Sequence, residues 1–361
     1  MPAYMVVVRD LHRFTTQGMQ KIPVREYKQM VGRAGRTGFD EEGMGITIAK
    51  NEVQLDKIIE EFVDGKIENI ESKLGAEPVL RMHLLGLIAT DFVFNIQSME
   101  DFFSKTFYAK QFGDLGSLMF KLQDILKQLE EFGFIEYTNE RKKFKATTIG
   151  KRIAELYLDP VSGDKLIKSL QKNVSGFGLL YSLAELNEFA PWFNVGKRIE
   201  QDVFLELNEK ANELAVDVME VQYTDYNLLE KFYSAKVMNE WINEVREEKI
   251  INEYDVLPGI LFNKSKILDW LAYSAIELAK LMEIKEMIRS YAVLRKRVLY
   301  GIKEELVELI ELKGIGRVRA RKLFNAGIKG ITDVKKADVK DLGILIGNSV
   351  AFDIKKHLRQ I

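Results

Sequence analysis

Residues 29–36 read Gln29-Met30-Val31-Gly32-Arg33-Ala34-Gly35-Arg36. Arg33 and Arg36 stand three apart, each directly after a glycine. Glycine lets the backbone turn tightly and leaves room for a large anion. Arginine stays charged and grips phosphate through a planar fork of donors. Two such side chains on one short turn can reach the terminal phosphate of a nucleotide and steady charge as it is transferred. A lone Gly-Arg pair would be read as a basic surface turn; an eight-residue string is a more specific signal.

Working outward, Met5-Val6-Val7-Val8-Arg9 is a short β-branched run suited to a buried strand. Arg25 to Met30 reads as a helix entering the arginine turn, and Gly45-Ile46-Thr47-Ile48-Ala49 as another strand. Two strands and one helix cannot close a doubly wound sheet, so residues 1–52 read as the end of an α/β domain with its other strands upstream. Phe14-Thr15-Thr16-Gln17-Gly18 reads either as a plain connection or as a hairpin tip with arms Val6–Arg9 and Met19–Pro23. A hairpin there would present Phe14, an apolar side chain able to wedge open a base pair.

Residues 53–159 predict charged helix, then compact helices and a hairpin. Phe120, Leu122, Ile125, Leu126, Leu129 and Phe132 recur at helical spacing. Phe134–Tyr137 and Phe144–Thr147 form two short strands around a turn at Asn139-Glu140-Arg141. This is the order of a winged helix, a module that binds DNA or serves as a spacer. Residues 160–300 are helical in pattern, punctuated by Pro160, Pro191 and Pro258, and predict a bundle. Trp270 falls on a long amphipathic segment of it. At helical spacing a tryptophan is ordinarily core, but on a channel-facing helix it can stack on any base.

Residues 301–361 hold 13 basic and 8 acidic side chains, a net of +5 against −6 for the other 300. Within them Gly314-Ile315-Gly316 reads as a turn between helices. Backbone N–H groups at the start of the second helix attract phosphate, and Gly314 and Gly316 allow a nucleic-acid backbone to come close. Arg317, Arg319, Arg321 and Lys322 add a salt-dependent attraction. The plainer alternative is an αα-corner with solvated basic residues. Gly343-Ile344-Leu345-Ile346-Gly347 reads as a degenerate second copy that packs rather than binds.

The whole chain of 361 residues carries 53 basic and 54 acidic side chains, so any polyanion surface must be local. With 47% hydrophobic and 30% charged residues it has the composition of a globular protein of several domains. It contains no cysteine, which excludes disulfides and thiolate metal sites, and its three histidines lie far apart, so no metal site is expected. The sequence has no apolar run of membrane-spanning length and no signal-peptide pattern. A cytoplasmic protein with no membrane partner is expected.

The string from Gln29 to Arg36 resembles motif VI of superfamily 2 helicases in its Ski-like form. Arginine turn, winged helix, bundle and helix-hairpin-helix follow in the order of the archaeal Hjm (Holliday junction migration) family of Ski-like DNA helicases, related to the helicase region of DNA polymerase theta. Arg25-Glu26-Tyr27-Lys28-Gln29, Leu156-Tyr157-Leu158-Asp159-Pro160 and Gly316 through Leu323 carry the same resemblance. The implied fold is mainly α: the C-terminal remnant of a RecA-like α/β domain (1–52), a winged helix (53–159), a ratchet-type helical bundle (160–300) and a helix-hairpin-helix domain (301–361). The resemblance implies that Gln29, Arg33 and Arg36 work at an ATP site. It also implies that Phe14 sits on a strand-separating hairpin, that Trp270 stacks on the translocating strand, and that the terminal domain brakes the emerging strand. The family pairs that tryptophan with an arginine seven residues earlier; here the position is Asn263, and Lys264 beside it is the candidate substitute.

A P-loop, Gly-x-x-x-x-Gly-Lys-Ser/Thr, is needed to hold ATP phosphates. None occurs in these 361 residues, nor does an acidic box placed to hold magnesium. The expectation is therefore the C-terminal half of a 3′-to-5′ DNA helicase, cut naturally or by design. ATP and Mg2+ belong to the complete enzyme, and neither cofactor nor ATP hydrolysis is expected of this chain alone. Expected partners are single-stranded or forked DNA and the missing N-terminal half. The alternative is a stand-alone nucleic-acid-binding or partner-docking module without motor activity.

Overall fold

The computed structural model describes every residue except 1–2, 16–17, 36–37, 39, 139–141, 173, 175, 215–216 and 359–361, and at 14, 15 and 18 the backbone alone. The chain divides into two compact units, Met1–Lys73 and Leu74–Ile361.

The first unit runs β1 (Met5–Val8), β2 (His12–Thr15), β3 (Gly18–Lys21), α1 (Val24–Val31), β4 (Met44–Thr47) and α2 (Glu52–Ile58), which continues as a π-helical turn over Ile59–Val63. Strands β1 and β4 pair in parallel, Met5 opposite Met44 and Val8 opposite Thr47, and α1 packs beside them. Tyr27 of α1 lies under this pair, its hydroxyl 3.1 Å from Thr47 Oγ1 and its ring edge-on to Phe62 at 5.4 Å. Ile58 and Phe62 join Val8, Leu11 and Ile22 in the same core. The stretch 53–63, grouped by its sequence pattern with the winged helix, thus packs with the α/β remnant.

A hairpin precedes α1, but its first arm is not Val6–Arg9. Those residues mostly form β1, whose hydrogen bonds go to β4. The side chain of Asp10 accepts from His12 N at 3.0 Å, an Asx-type turn that closes β1. The hairpin is then built by β2 and β3, His12 opposite Lys21 and Thr15 opposite Gly18. Residues 16 and 17 at its tip lie outside the described residues.

The second unit opens with α3 (Glu77–Ala89), α4 (Ile96–Phe103), α5 (Phe107–Phe112), α6 (Leu115–Glu131), β5 (Ile135–Thr138), β6 (Lys143–Ala146) and α7 (Thr148–Glu155), a winged helix. Its two strands pair antiparallel; the turn expected at 139–141 lies outside the described residues. Phe120, expected on the apolar stripe of α6, is 67% exposed, while Leu118, Leu122, Ile125, Leu126 and Leu129 are buried. The bundle follows: α8 (Pro160–Gln171), α9 (Phe177–Ala184), α10 (Glu200–Glu209), α11 (Val218–Val221), α12 (Leu228–Ile242), α13 (Glu247–Tyr254), α14 (Pro258–Leu281) and α15 (Lys285–Tyr300). Pro160 and Pro258 occupy the first turns of α8 and α14, where a missing N–H costs nothing. The chain ends in α16 (Arg317–Asn325), α17 (Ile331–Lys336), α18 (Val339–Ile346) and α19 (Asn348–His357).

Winged helix and bundle share one core, running from Leu84 and Leu122 through Ile153 to Phe232 and Leu268. A buried ion pair clamps their junction. Arg81 of α3 donates from Nε to Asp159 Oδ1 at 2.7 Å and from Nη2 to Oδ2 at 3.0 Å. Asp159 also caps the start of α8 and accepts from Asn187 Nδ2 at 2.8 Å. The last helices have their own smaller core around Leu306, Leu323, Val334, Leu342 and Ile354. Among the described residues no helix is long and apolar enough to cross a membrane.

Candidate nucleotide and nucleic-acid interfaces

The arginine turn starts from a firmly held helix. Pro23 before α1 offers no side-chain cap, and the vacancy is filled by Glu68, whose carboxylate accepts from Val24 N at 2.6 Å and Arg25 N at 2.9 Å. An acid at this end also suits the helix dipole. These bonds hold the Glu68 carboxyl below its ordinary range, the one from Arg25 most strongly. At the other end the helix leaves Val31 into Gly32 and Arg33. The turn is then pinned to the strand side: Ala3 N donates to Arg33 O at 3.1 Å, and Gly35 N to Ala3 O at 2.7 Å. The backbone of the turn is thereby set while the Arg33 side chain stays exposed, as does Gln29 on the last turn of α1. Arg36 lies outside the described residues, and so does the side chain of Phe14.

Trp270 lies on the 24-residue helix α14. It is half-buried against the main core, and its indole N–H donates to Leu156 O at 3.2 Å. One edge of the ring is thus anchored to the end of the winged helix. Asn263 is exposed two turns earlier. Lys264, expected to stand in for the arginine, turns the other way. Only 5% of it is exposed, and its ammonium donates to the carbonyls of Phe189 and Pro191 while lying 4.3 Å from the centre of the Phe189 ring. Burial pushes its pKa down to about 8. Helical phase accounts for the difference, because a residue next to a solvent-facing one on an α-helix is turned by roughly 100°.

In the terminal domain Gly314 takes the left-handed φ of +82° that the turn requires, whereas Gly316 is extended and starts α16 without a side-chain cap. The basic residues after it split into two sets. Arg319 and Lys322 are exposed, and Arg319 braces the turn by donating to Gly314 O at 2.8 Å. Arg317 and Arg321, expected on the nucleic-acid side, are turned onto the bundle. The guanidinium of Arg317 lies 4.9 Å from the centre of the Trp241 ring and donates to Val245 O at 2.7 Å; burial lowers its pKa. Arg321 bridges Glu244 and Glu305, the latter at 2.9 Å. These two arginines hold the tail in place, and Gly314, Gly316 and Arg319 are left at the open face of the hairpin, while the exposed Lys322 lines a cleft with Arg317, Arg321 and the acidic residues of α13. The second Gly-rich stretch, 343–347, spans the end of α18 and the turn into α19, with Val350 of α19 resting against Gly314.

Trp241, Phe262 and Lys266 are missed by sequence reasoning. Trp241 sits at ordinary core spacing, and the Phe262–Lys266 pair appears only once the exposed face of α14 is known.

Comparison with known proteins places these elements in a family. Residues 177–301 match the model for archaeal helicase domain 4, and residues 306–360 match the SAM-like helix-hairpin-helix tandem. The chain is 37% identical to the ATP-dependent DNA helicase Hel308 of Thermococcus kodakarensis, over 99% of this chain and 32% of that protein. It is 34% identical to the Hel308 of Methanococcus vannielii, over 93% of this chain and 49% of that protein, and 35% identical to that of Pyrococcus horikoshii, over 99% and 50%. The chain therefore spans half or less of the length of these relatives, matching their C-terminal part. By sequence along nearly its whole length, this chain belongs to the archaeal Ski-like helicase family of the Hel308 proteins, as the counterpart of their C-terminal portion.

Proposed function

We propose that this chain is the strand-handling part of an ATP-driven 3′-to-5′ DNA helicase, gripping single-stranded DNA and lending the turn at Arg33 and Arg36 to an ATP site. The observation that carries the reading is the open face at Gly314–Gly316, where an uncapped helix start and the exposed Arg319 meet on a hairpin braced by Arg317 and Arg321. Such a face attracts phosphates without reading sequence. Trp270 would stack on a base, and the β2–β3 hairpin, with Phe14 on it, would part the strands of a fork. In the complete helicase Gln29, Arg33 and Arg36 would act on ATP held with Mg2+ by the other half of the enzyme.

The first unit supports such a partner. Tyr4, Met5, Val7, Met44, Ile46 and Ile48 are each at least 37% exposed on or beside the two paired strands. Parallel strands are ordinarily covered on both faces and continued at their edges. The apolar residues left uncovered suit the rest of an α/β domain, supplied by the N-terminal half of the helicase.

Fluorescence anisotropy of a labelled single strand, titrated at several salt concentrations, tests the DNA reading. Binding should weaken linearly in log salt. Arg319→Ala should weaken all sequences alike and flatten that slope, by roughly 0.7 for one lost phosphate contact. Affinity that does not respond to salt would sink the reading.

A further inference from the structure

The solvent-facing stripe of α14 carries more than Trp270. Gly259, Phe262, Asn263, Lys266 and Tyr273 are its exposed positions on that side, with Asp269 and Trp270 half-buried among them. Phe262 is 60% exposed. The Lys266 ammonium, one turn on, stands 5.3 Å from the centre of its ring. Trp270 follows after another turn, so Phe262, Lys266 and Trp270 lie at i, i+4 and i+8, spanning roughly 12 Å along the axis.

Among the described residues, the charged side chains of Lys264, Arg295, Lys280 and Arg152 around this stripe are paired, and that of Lys266 is the exception. Lys264 is buried on backbone carbonyls. Arg295, over the Tyr273 ring, is bonded to Asp269 at 2.7 Å. Lys280 is bonded to Glu277 at 2.8 Å, and Arg152 to Glu155 and Glu277. Among the described residues no carboxylate lies within ion-pairing distance of Lys266. A solvated cation on an exposed aromatic face adds little to stability. Ring, ammonium and ring in file, with the ammonium unneutralised, is the arrangement that receives a strand of stacked bases joined by phosphates.

We infer that Phe262 and Lys266 form a second contact point for single-stranded nucleic acid on α14, Phe262 against a base and Lys266 against the adjoining phosphate, one to two turns before Trp270. This rests on the strand-handling reading above. The contacts that Phe262 and Lys266 supply are a π-face and one positive charge, and neither distinguishes one base from another.

The test uses the full chain and a labelled oligothymidylate, with the variants Phe262→Ala, Phe262→Tyr, Lys266→Gln and Lys266→Arg. Both positions are exposed, and melting curves check that each variant is folded. Phe262→Ala should weaken binding about tenfold and Phe262→Tyr should not, the effect expected for loss of one stacking ring. The Phe262→Ala penalty should vanish on an abasic strand. Lys266→Gln should reduce the salt slope by about 0.7, and Lys266→Arg should restore it. Folded Phe262→Ala and Lys266→Gln variants with unaltered affinity and slope, while Trp270→Ala still weakens binding, would overturn this inference alone. A Phe262→Ala penalty that persists on the abasic strand would overturn the base contact. Failure of the unaltered chain to bind the oligonucleotide would overturn the strand-handling reading itself.

Discussion

Trp270 has two duties that a single substitution confounds. Its indole N–H holds Leu156 O, and its half-buried ring packs on the main core. Trp270→Phe keeps a ring and loses the hydrogen bond, so it should cost about 1 kcal/mol of stability with single-strand affinity largely kept. Trp270→Ala should lose stacking, about 1–3 kcal/mol of binding, and also lower the melting temperature. Affinity per folded molecule unchanged in Trp270→Ala would remove the tryptophan from the DNA path. Lys264, six residues earlier, offers a pH signature. Its folded pKa of about 8 lies below the ordinary 10.5. Between those values the unfolded chain binds more protons than the native one, so this residue makes stability rise with pH across that window. Lys264→Met removes the charge while keeping an unbranched side chain. Denaturant melts from pH 8 to 10.5 should show a shallower rise in Lys264→Met than in the unaltered chain; parallel curves would contradict the assignment. The position of Lys264 in the sequence shows only that it neighbours Asn263. That it points inward depends on Phe189 and Pro191, which are 75 and 73 residues away.

The elements were legible where their signals are local. Helix α14 declares itself through Pro258 and a long apolar period, the arginine turn through its string, and the terminal hairpin through Gly-Ile-Gly. Tertiary covering was not legible. Helical spacing puts Arg317 and Arg321 on one face of α16, and nothing local says that Trp241 and Glu244 meet that face while Arg319 and Lys322 stay open. The same holds for β1: its β-branched run reads as a strand, but its pairing with β4 rather than with the hairpin is a non-local choice. The joint between tail and bundle makes this testable. Gly301 ends α15 with a left-handed φ of +63°, and a side chain there would collide with the Trp241 ring. Trp241 in turn donates to Val298 O at 2.8 Å and lies under Arg317. Gly301→Ala should therefore destabilise the chain by about 1–3 kcal/mol, through backbone strain and displaced packing. Arg317→Ala should act at the same joint, lowering the melting temperature without changing the salt slope of single-strand binding. Arg319→Ala should do the reverse. If the two arginine variants behave alike in both measurements, the division of the basic residues into bracing and binding sets is wrong.

At the scale of the whole molecule, the chain is nearly neutral, with 53 basic against 54 acidic side chains, so its affinity for a polyanion has to come from placement rather than net charge. The proposed placements are the hairpin face and the stripe of α14, which lie in one compact unit and are joined where Arg317 covers Trp241 and Arg321 meets Glu244; within the same unit the Arg81–Asp159 clamp joins the winged helix to the bundle. That clamp is buried at both ends, with 6% and 7% of the side chains exposed. Removing one partner strands a buried charge, so Asp159→Ala should cost about 3–5 kcal/mol, observed as a large drop in melting temperature. The ATP side of the reading makes a different demand. Motor function needs phosphates held by a P-loop, and none of the 361 residues forms one. The arginine turn can only complete a site whose nucleotide is held elsewhere. Purified alone, the chain should release no phosphate from ATP above background, with or without single-stranded DNA. Mixed with a separately produced, P-loop-bearing N-terminal half of a relative, it should restore DNA-stimulated hydrolysis. Arg33→Ala or Arg36→Ala should abolish the restored rate, since an arginine at the transferring phosphate is worth roughly 10³–10⁵ in kcat where it has been measured. Single-strand binding should be largely kept in both, because the hairpin face and α14 belong to the other compact unit. Restored hydrolysis that is indifferent to both arginines would show that the turn plays no part in ATP chemistry. Phosphate release by the chain alone, lost in Arg36→Ala, would show instead that a complete nucleotide site exists within these residues.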